Sequence, residues 1–279
     1  MKKITLDHGS GGLVSHELIE KMFLPIFNTA DRHSLEDSAL ITLGTERLAF
    51  STDSFVVDPI FFPGGTIGDL AVNGTVNDLA MRGAIPLYLS VGLILEEGLP
   101  MADLERIIRA MKDSADTAGV QIVTGDTKVV PVGKADKIFI NTTGIGHMQT
   151  ELDISGTNAQ PGDHIILSGT MADHGVTILC QQEGLKISGG FKSDSAALNH
   201  IIAKLVSLEA TNIHTLRDPT RGGVATTLNE IAQSSQVGII LEEKFLPVRD
   251  DVRGACELLG LDPLYLATLL WNGFKPFET

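Results

Sequence analysis

Four short segments place a carboxylate among small or polar residues beside an apolar run: Glu36–Ala39, Ser51–Ser54, Val76–Ala80 and Thr124–Lys128. Carboxylates that converge in one fold repel each other unless cations lie between them. Mg²⁺ shared with nucleotide phosphates meets that need, because it takes oxygen ligands from one or two carboxylates together with phosphates and water. Any one of these aspartates, taken singly, is better explained as a turn or helix-capping residue. The four segments together, in this order, favour a site for metal and phosphate.

The best metal candidates are Asp37, Asp53 and Asp78, followed by Asp218. Asp53 follows the strand-like residues 48–50, and the end of a strand would direct its side chain into a crevice. Asp78 lies in an otherwise small and apolar helical segment, where a buried charge needs a cation or several hydrogen-bond donors. Asp218 opens a loop that enters a helix, so an N-cap is a strong rival explanation for this residue.

A glycine-rich stretch, formed by Gly9, Ser10, Gly11 and Gly12, precedes all of these segments. Glycine has no Cβ to block close approach and it tolerates positive φ, so backbone N–H groups in this stretch can come close to a phosphate. An N-terminal turn explains the same residues equally well, and composition alone leaves both explanations open.

Further polar residues accompany the acids, namely Asn77, Asp126, Lys128 and Arg221. Asn77 can hydrogen-bond either a nucleotide group or the neighbouring backbone. Lys128, which follows the strand-like residues 120–123 together with Asp126, can meet a phosphate as a point charge, hold a carboxylate, or be solvated. The planar fork of Arg221 suits a phosphate, although an exposed ion pair is an equally ordinary use of an arginine.

The composition excludes several classes of function. The net charge of −14 argues against a nucleic-acid partner, because phosphate backbones require clustered cations. No apolar run reaches the length of a membrane span and no signal-like core follows Met1, so we expect a cytoplasmic protein. The two cysteines, Cys180 and Cys256, have apolar neighbours at helical spacing, which indicates buried core thiols and no disulfide framework.

Strand and helix patterns alternate along the chain and predict an α+β fold. The apolar patterns predict strands at 48–52, 86–95, 121–123, 137–144, 164–168 and 237–241, and helices at 67–80, 104–118, 172–183, 195–208, 223–234 and 250–259. The turn-rich stretch 152–162 predicts a junction between an N-terminal domain of residues 1–151 and a C-terminal domain of residues 152–279.

The order and spacing of these segments resemble the PurM-like family of ATP-dependent synthases, and within it the HypE family of hydrogenase maturation factors. The resemblance extends from near the start of the chain to about Ala267. The matching stretches are Asp7–Gly12, Thr52–Val57, Phe61–Gly65, Gly74–Ala80, Ile122–Val130, Arg217–Val224 and Cys256–Tyr265.

The resemblance implies two α+β domains, of which the first supplies a homodimer interface and an ATP site across it. It implies ATP and Mg²⁺ as cofactors, phosphate contact or closure over ATP by the glycine-rich stretch, and a metal and phosphate contact by Asp218 from the second domain. It also implies that Lys128 and Asp126 act in catalysis.

The resemblance implies an activity of several steps that involves two partners, a carbamoyltransferase and an iron scaffold. A HypF-type carbamoyltransferase supplies a carbamoyl group to a C-terminal cysteine, and ATP-dependent dehydration converts the resulting thiocarbamate into a thiocyanate. The cyanide then passes to iron on a HypC–HypD scaffold, for the centre of a [NiFe]-hydrogenase.

After Ala267 the sequence departs from the family, in which a Glu-containing segment and a tail ending in cysteine follow. No cysteine follows Cys256, so the sequence predicts a shortened second domain and a chain that binds nucleotide but cannot complete the reaction alone. Two alternatives stay open. One is another PurM-like synthase, of the selenophosphate synthetase or thiamine-phosphate kinase type, and the other is a non-catalytic module that binds a nucleotide or a partner.

Overall fold

The computed structural model describes residues 3–10, 12–27, 36–148, 152–185 and 190–269, together with the backbone of 272–276. Within these ranges the chain forms a five-stranded sheet, a three-stranded sheet and a two-stranded hairpin, with helices packed against them. No helix in the described ranges is both long and apolar enough to cross a membrane. The domain boundary after residue 151 stays a prediction, since residues 149–151 fall outside those ranges.

The first domain contains a helical arm and the larger sheet. In chain order its elements are the 3₁₀ turn Leu6–His8, α1 (Gly12–Leu18), the π turn Ile19–Phe23, α2 (Leu24–Phe27), β1 (Ala39–Leu43), β2 (Glu46–Phe55), β3 (Phe61–Phe62), β4 (Gly65–Thr66), α3 (Ile67–Met81), β5 (Ala84–Glu96), α4 (Met101–Ala118), β6 (Gln121–Val130) and β7 (Ile138–Met148).

The larger sheet has the order β1-β2-β7-β5-β6, in which β5 and β6 are parallel and the other neighbours are antiparallel. Alternate residues of β7 are buried, as expected for a central strand with one face on a helical layer. The opposite face of the sheet leaves large apolar side chains exposed, among them Phe50, Tyr88 and Ile145. The described residues leave these apolar side chains partly open to solvent.

Four strands, β2, β5, β6 and β7, are longer than the sequence predicts, and two of these differences concern candidate site residues. Strand β2 continues to Phe55, so Asp53 lies within a strand and not at its end. Strand β6 continues to Val130 because its backbone follows β5 in parallel register, with Asp126 opposite Gly92 and Lys128 opposite Ile94. Strand β6 lies at the edge of the sheet and many of its side chains are polar and exposed, so its sequence does not show a continuous apolar run.

Helix α3 forms the centre of the first domain. It begins with a capping box, in which Thr66 Oγ1 accepts the backbone N–H of Gly68 and Asp69 Oδ1 accepts that of Thr66. Nearly all of its residues are buried, because the sheet, α4 and the second domain pack around it. A Cβ on Gly68 would lie 2.5 Å from the carbonyl oxygen of Ile107 on α4, so glycine permits the two helices to approach this closely.

The second domain contains the three-stranded sheet, of order β8-β10-β9, with antiparallel neighbours. Its elements are β8 (Asp163–Leu167), α5 (Asp173–Gln182), α6 (Asn199–Glu209), β9 (Thr215–Arg217), α7 (Gly223–Ser235), α8 (Asp250–Leu259) and β10 (Asn272–Pro276). Strand β10 belongs to the segment that departs from the family resemblance, and its backbone fills the position between β8 and β9.

The strand predicted at 237–241 is wrong. These residues have no regular secondary structure, and Ile240 is 91% exposed. The apolar, β-branched pattern satisfies the local preference for a strand, but a strand also needs a neighbour to pair with, and local sequence does not report one.

A loop of the second domain, residues 193–198, lies along α3 of the first domain. Asn73 Nδ2 donates to Ser195 Oγ at 3.0 Å. Four residues later, Asn77 Nδ2 donates to the carbonyl oxygen of Ala196 at 3.0 Å, and Asn77 Oδ1 accepts the backbone N–H of Leu198 at 2.8 Å. The spacing of the two asparagines places them on one face of the helix, which attaches the second domain to it.

Candidate metal and phosphate site

Three carboxylates meet where the two domains join. One oxygen each from Asp37, Asp78 and Asp218 lies within 4.8 Å of the other two. Asp37 lies just before β1, Asp78 in the last turn of α3, and Asp218 directly after β9. The first domain therefore supplies two of the acids and the second domain supplies the third, as a shared site requires.

A serine on the sheet links the two acids of the first domain. Ser51 Oγ lies 2.7 Å from Asp78 Oδ2 and 3.0 Å from the carbonyl oxygen of Asp37. The inward alternation of β2 directs Ser51 towards α3, where Asp78 projects from an otherwise apolar helix. The hydrogen bond from Ser51 lowers the free-energy cost of burying Asp78 Oδ2. The other carboxylate oxygen of Asp78 has to be satisfied by a different donor or by a cation.

An arginine from the second domain contacts the remaining acid of the first. Arg217 Nε lies 3.0 Å from Asp37 Oδ1, and Arg217 donates to Glu230 Oε2 at 3.0 Å. Both Arg217 and Asp37 are largely buried, so their attraction is little screened by solvent. Arg217 thus joins β9 and α7 of the second domain to the segment before β1.

The buried acids are poorly solvated and crowd each other. Burial raises the pKa of Asp37 to about 8 and that of Asp218 to about 6, with Arg217 opposing both shifts. Burial also raises the pKa of Asp78 well above its usual value, and the charges of Asp218 and Asp37 raise it further. Such a cluster ionises readily only when a cation enters it.

The donor set fits a hard divalent cation. Asp37 Oδ2 is buried and has no hydrogen-bond partner among the described residues, so this acceptor still needs a donor or a cation. The clustered ligand atoms are all carboxylate oxygens, the type that Mg²⁺ prefers over softer metals. The residues present therefore match the magnesium expected from the family resemblance.

Asp53 and Arg221 lie beside the cluster. Asp53 is close enough to raise the pKa of both Asp78 and Asp218, while burial raises its own pKa and Arg221 partly opposes that shift. Arg221 also opposes the raised pKa of Asp218, and its side chain is exposed. The N-cap explanation for Asp218 does not hold, because the residue at the N-cap of α7 is Gly222.

Asn77 hydrogen-bonds backbone groups, which is the second of the two alternatives predicted for it. Its amide oxygen and nitrogen both bond the backbone of residues 196–198, and the residue is 3% exposed. An amide with both ends engaged has little to offer a nucleotide. Its position next to Asp78 in the sequence reflects helix packing.

Asp126 and Lys128 lie apart from the acid cluster within one chain. Both are exposed on β6, which is separated from β2 by two other strands. Lys128 Nζ donates to Asp126 Oδ2 at 2.7 Å, and this bond lowers the pKa of Asp126. A single chain therefore does not bring them to the acids.

The glycine-rich stretch lies in the N-terminal arm. Ser10 Oγ donates to the carbonyl oxygen of Asp7 at 3.2 Å, and Gly12, with φ of +72°, begins α1. Gly9 and Ser10 are largely or fully exposed, whereas Gly11 lies outside the described residues. The bond of Ser10 is local, and Gly9 and Ser10 stay accessible to solvent.

Several residues at the site were not found by sequence reasoning: Glu36, Ser51, Arg82, Arg217 and Glu230. Ser51, Arg217 and Glu36 each lie within two residues of a candidate acid, which is the one sequence signal they carry. Arg82 and Glu230 contact the site region across the fold and have no such signal.

Two family models match the chain. Residues 35–148 match the N-terminal domain of AIR synthase related proteins, and residues 160–269 match the C-terminal domain. A carbamoyl dehydratase HypE of Cupriavidus necator is 50% identical over 266 residues, covering 95% of this chain and 76% of the relative. The HypE of Escherichia coli is 47% identical over 272 residues, covering 96% of this chain and 80% of the relative.

Solved structures agree with these matches. A HypE–HypF complex superimposes with a TM-score of 0.87 at 47% identity, over 92% of this chain and 84% of the other. HypE in complex with ATP superimposes with a TM-score of 0.81 at 55% identity, over 98% of this chain and 82% of the other. Thiamine monophosphate kinase from Aquifex aeolicus superimposes with a TM-score of 0.72 over 96% of this chain and 91% of the other. Its sequence is 18% identical, so it shares the fold alone.

Two such domains in this order, with an acid cluster between them, define an AIR synthase related, PurM-like protein. At about half identity over nearly its whole length, the chain belongs to the carbamoyl dehydratase HypE family of hydrogenase maturation proteins.

Proposed function

We propose that this protein uses ATP to dehydrate a carbamoyl group on a thiol to a thiocyanate, the source of the cyanide ligands on [NiFe]-hydrogenase iron. The observation that supports it is the cluster of Asp37, Asp78 and Asp218, in which the buried Oδ2 of Asp37 has no hydrogen-bond partner among the described residues. A thiocarbamate, an ATP and a set of carboxylates that holds Mg²⁺ are what this chemistry requires.

The reaction transfers the γ-phosphoryl group of ATP to the carbamoyl oxygen, giving an imidate phosphate and ADP with loss of one N–H proton. Loss of the second N–H proton and of phosphate then forms the C≡N bond. Asp37, Asp78 and Asp218 would hold Mg²⁺, which would neutralise phosphate charge. Asp53 would add a further carboxylate, and the exposed Arg221 would supply positive charge to phosphate oxygens.

Lys128 and Asp126 take part from a second copy of the chain. We infer a homodimer that forms through the first domain, because the outer face of the sheet exposes Phe50, Tyr88 and Ile145 and β6 is exposed along its length. Apolar surface of this kind on a sheet face indicates a protein interface. In such a dimer Lys128 supplies its charge to the phosphate at the partner's acid cluster, held in position by Asp126, and Gly9–Gly12 contributes backbone N–H groups to the phosphates.

The acceptor thiol is neither of the cysteines in this sequence. Cys180 and Cys256 are 3% and 1% exposed, and burial raises the pKa of both thiols, that of Cys256 to about 11. A buried thiol with a raised pKa is a poor nucleophile and cannot meet a transferase. We propose that a HypF-type carbamoyltransferase transfers the carbamoyl group to a cysteine other than Cys180 and Cys256, the two that this sequence contains. We also propose that a HypC–HypD scaffold receives the cyanide.

Calorimetric titration of ATP, with and without Mg²⁺, tests the proposal. We expect Mg²⁺-dependent binding that is lost in an Asp53→Asn/Asp78→Asn variant and retained in Asp113→Asn/Asp136→Asn, which removes two exposed acids. Absence of binding to the folded wild-type protein would leave the partner-binding module as the better description. Mg²⁺-independent binding would place the nucleotide elsewhere.

A further inference from the structure

Glu36, the residue before Asp37, contacts both domains although nothing in the proposed chemistry uses it. Its Oε1 accepts hydrogen bonds from Ser155 Oγ at 2.5 Å and from the backbone N–H of Gly156 at 3.0 Å, both in the second domain. Its Oε2 lies 3.3 Å from a guanidinium nitrogen of Arg82, at the end of α3 in the first domain. The side chains of Glu36 and Arg82 are 8% and 10% exposed.

The contacts of Glu36 lead to strand β9. The backbone N–H of Ser155 donates to the carbonyl oxygen of His214 at 3.1 Å, and Thr215 Oγ1 donates to the carbonyl oxygen of Ser155 at 2.8 Å. Glu36 is therefore attached, through Ser155, to the residues at the start of β9.

Asp37 is attached to the other end of the same strand, since its Oδ1 lies 3.0 Å from Nε of Arg217, the last residue of β9. Two adjacent residues of the first domain thus bind the two ends of one three-residue strand. The residue that follows this strand is Asp218, the acid that the second domain contributes to the cluster.

We propose that Glu36 is a positioning residue for the metal site. It fixes the register of β9 against the segment before β1, and so sets Asp218 at its distance from Asp37 and Asp78. The inference rests on the proposed metal site, because a register matters only if the three carboxylates act on one ion. A charged carboxylate suits the task, since it accepts from two donors and pairs with a buried arginine at the same time.

The test measures Mn²⁺ binding, by electron paramagnetic resonance of the free ion, to full-length protein without nucleotide. We expect Glu36→Gln to raise the dissociation constant for Mn²⁺ by about tenfold or more, the usual effect of losing a residue that orients a metal ligand. Glu105→Gln is the matched control, because Glu105 also pairs with an arginine, Arg109, but at the surface of α4. It should bind Mn²⁺ as the wild type does.

A double-mutant cycle separates positioning from a general loss of stability. If Glu36 acts through Asp218, Glu36→Gln should add little to the loss already caused by Asp218→Asn. Additive losses, or unchanged Mn²⁺ affinity in folded Glu36→Gln, would overturn the inference. If Glu36→Gln does not fold, Ser155→Ala decides the matter, since it removes the hydroxyl donor from the second domain and keeps the pair with Arg82.

Mn²⁺ binding to the wild-type protein distinguishes a failure of this inference from a failure of the proposed function. Wild-type protein that binds no Mn²⁺ would overturn the metal site itself, and the positioning role with it. Wild-type binding with unaltered affinity in the folded variants would overturn the role of Glu36 alone.

Discussion

Asn77 Oδ1 accepts the backbone N–H of Leu198 at 2.8 Å, across the contact between the two domains. The same amide donates to the carbonyl oxygen of Ala196 at 3.0 Å, so one side chain satisfies two backbone groups of the loop 193–198 in the second domain. Because Asn77 directly precedes Asp78, the loop of the second domain is attached to α3 beside the acid cluster.

Replacing Asn77 with alanine should therefore weaken the fold more than it weakens nucleotide binding. Loss of both hydrogen bonds leaves the buried backbone N–H of Leu198 without its acceptor, and we expect a cost of about 1–3 kcal/mol in the free energy of unfolding. Urea denaturation measures this. In Asn229→Ala, the matched control, the lost bond to Ala225 is exposed and within one helix, so the change should be small. Unchanged stability with lost ATP affinity would instead indicate a nucleotide contact.

A rise in pH and the binding of Mg²⁺ should act on stability in opposite directions. The pKa of Asp37, about 8 in the folded protein against 3.8 as its ordinary value, means that the folded state binds a proton more tightly than the unfolded chain does. That contribution to stability is complete at low pH and is lost as pH rises through about 8. Between pH 6.5 and 8 we expect the free energy of unfolding of the metal-free protein to fall by up to about 1 kcal/mol per pH unit.

Mg²⁺ should reverse this loss. The ion replaces the protons on the carboxylates, so thermal unfolding should show a larger stabilisation by Mg²⁺ at pH 8 than at pH 6.5. An Asp37→Asn variant provides the comparison and should lose much of the pH dependence in this window. Equal stabilisation at both pH values in the wild-type protein would contradict a site made of these acids.

A heterodimer should recover activity that neither parent possesses. If Lys128 serves the acid cluster of the partner chain, dimers of Asp78→Asn alone and of Lys128→Met alone each have two damaged sites. A purified heterodimer of the two has one intact site, and we expect about half of the wild-type phosphate release. Lys112→Met, which removes an exposed lysine from α4, should retain full activity. An inactive heterodimer would show that Lys128 acts within its own chain or does not act.

Both thiols should resist labelling in the native state. Cys180 and Cys256 are buried and have raised pKa values, so a disulfide reagent at pH 8 should react at least about 100-fold more slowly with folded than with urea-unfolded protein. The Cys180→Ala and Cys256→Ala variants identify which thiol accounts for any residual rate. Rapid release of one equivalent from folded wild-type protein would reopen the question of an acceptor within the described chain.

Periodic and local features could be predicted well from the sequence. The spacing of Ile107, Met111 and Ala115 predicts α4, because one buried face repeats with the period of a helix. The small, apolar segment around Asp78 predicts a buried helix, and α3 is buried almost throughout.

The features that failed depend on distant partners. Residues 237–241 have the composition of a strand but pair with no strand in the described part of the chain. The three residues of β9 are too few to show a pattern. The two alternatives for Asn77 could be separated only by knowing that residues 196–198 lie over it. The link between Glu36 and Ser155 spans more than a hundred positions, and no local rule connects them.

The order of the smaller sheet has a consequence for how the protein is made. Strands β8 and β9 do not pair with each other, because residues 272–276 lie between them, with Pro276 opposite Asp163 and Asn272 opposite Arg217. During synthesis β8 therefore leaves the ribosome long before its neighbour exists, and β9 must also wait. Such non-local pairing is slow and leaves strand edges open to other chains in the meantime. The second domain is the part of this protein that we expect to depend most on molecular chaperones.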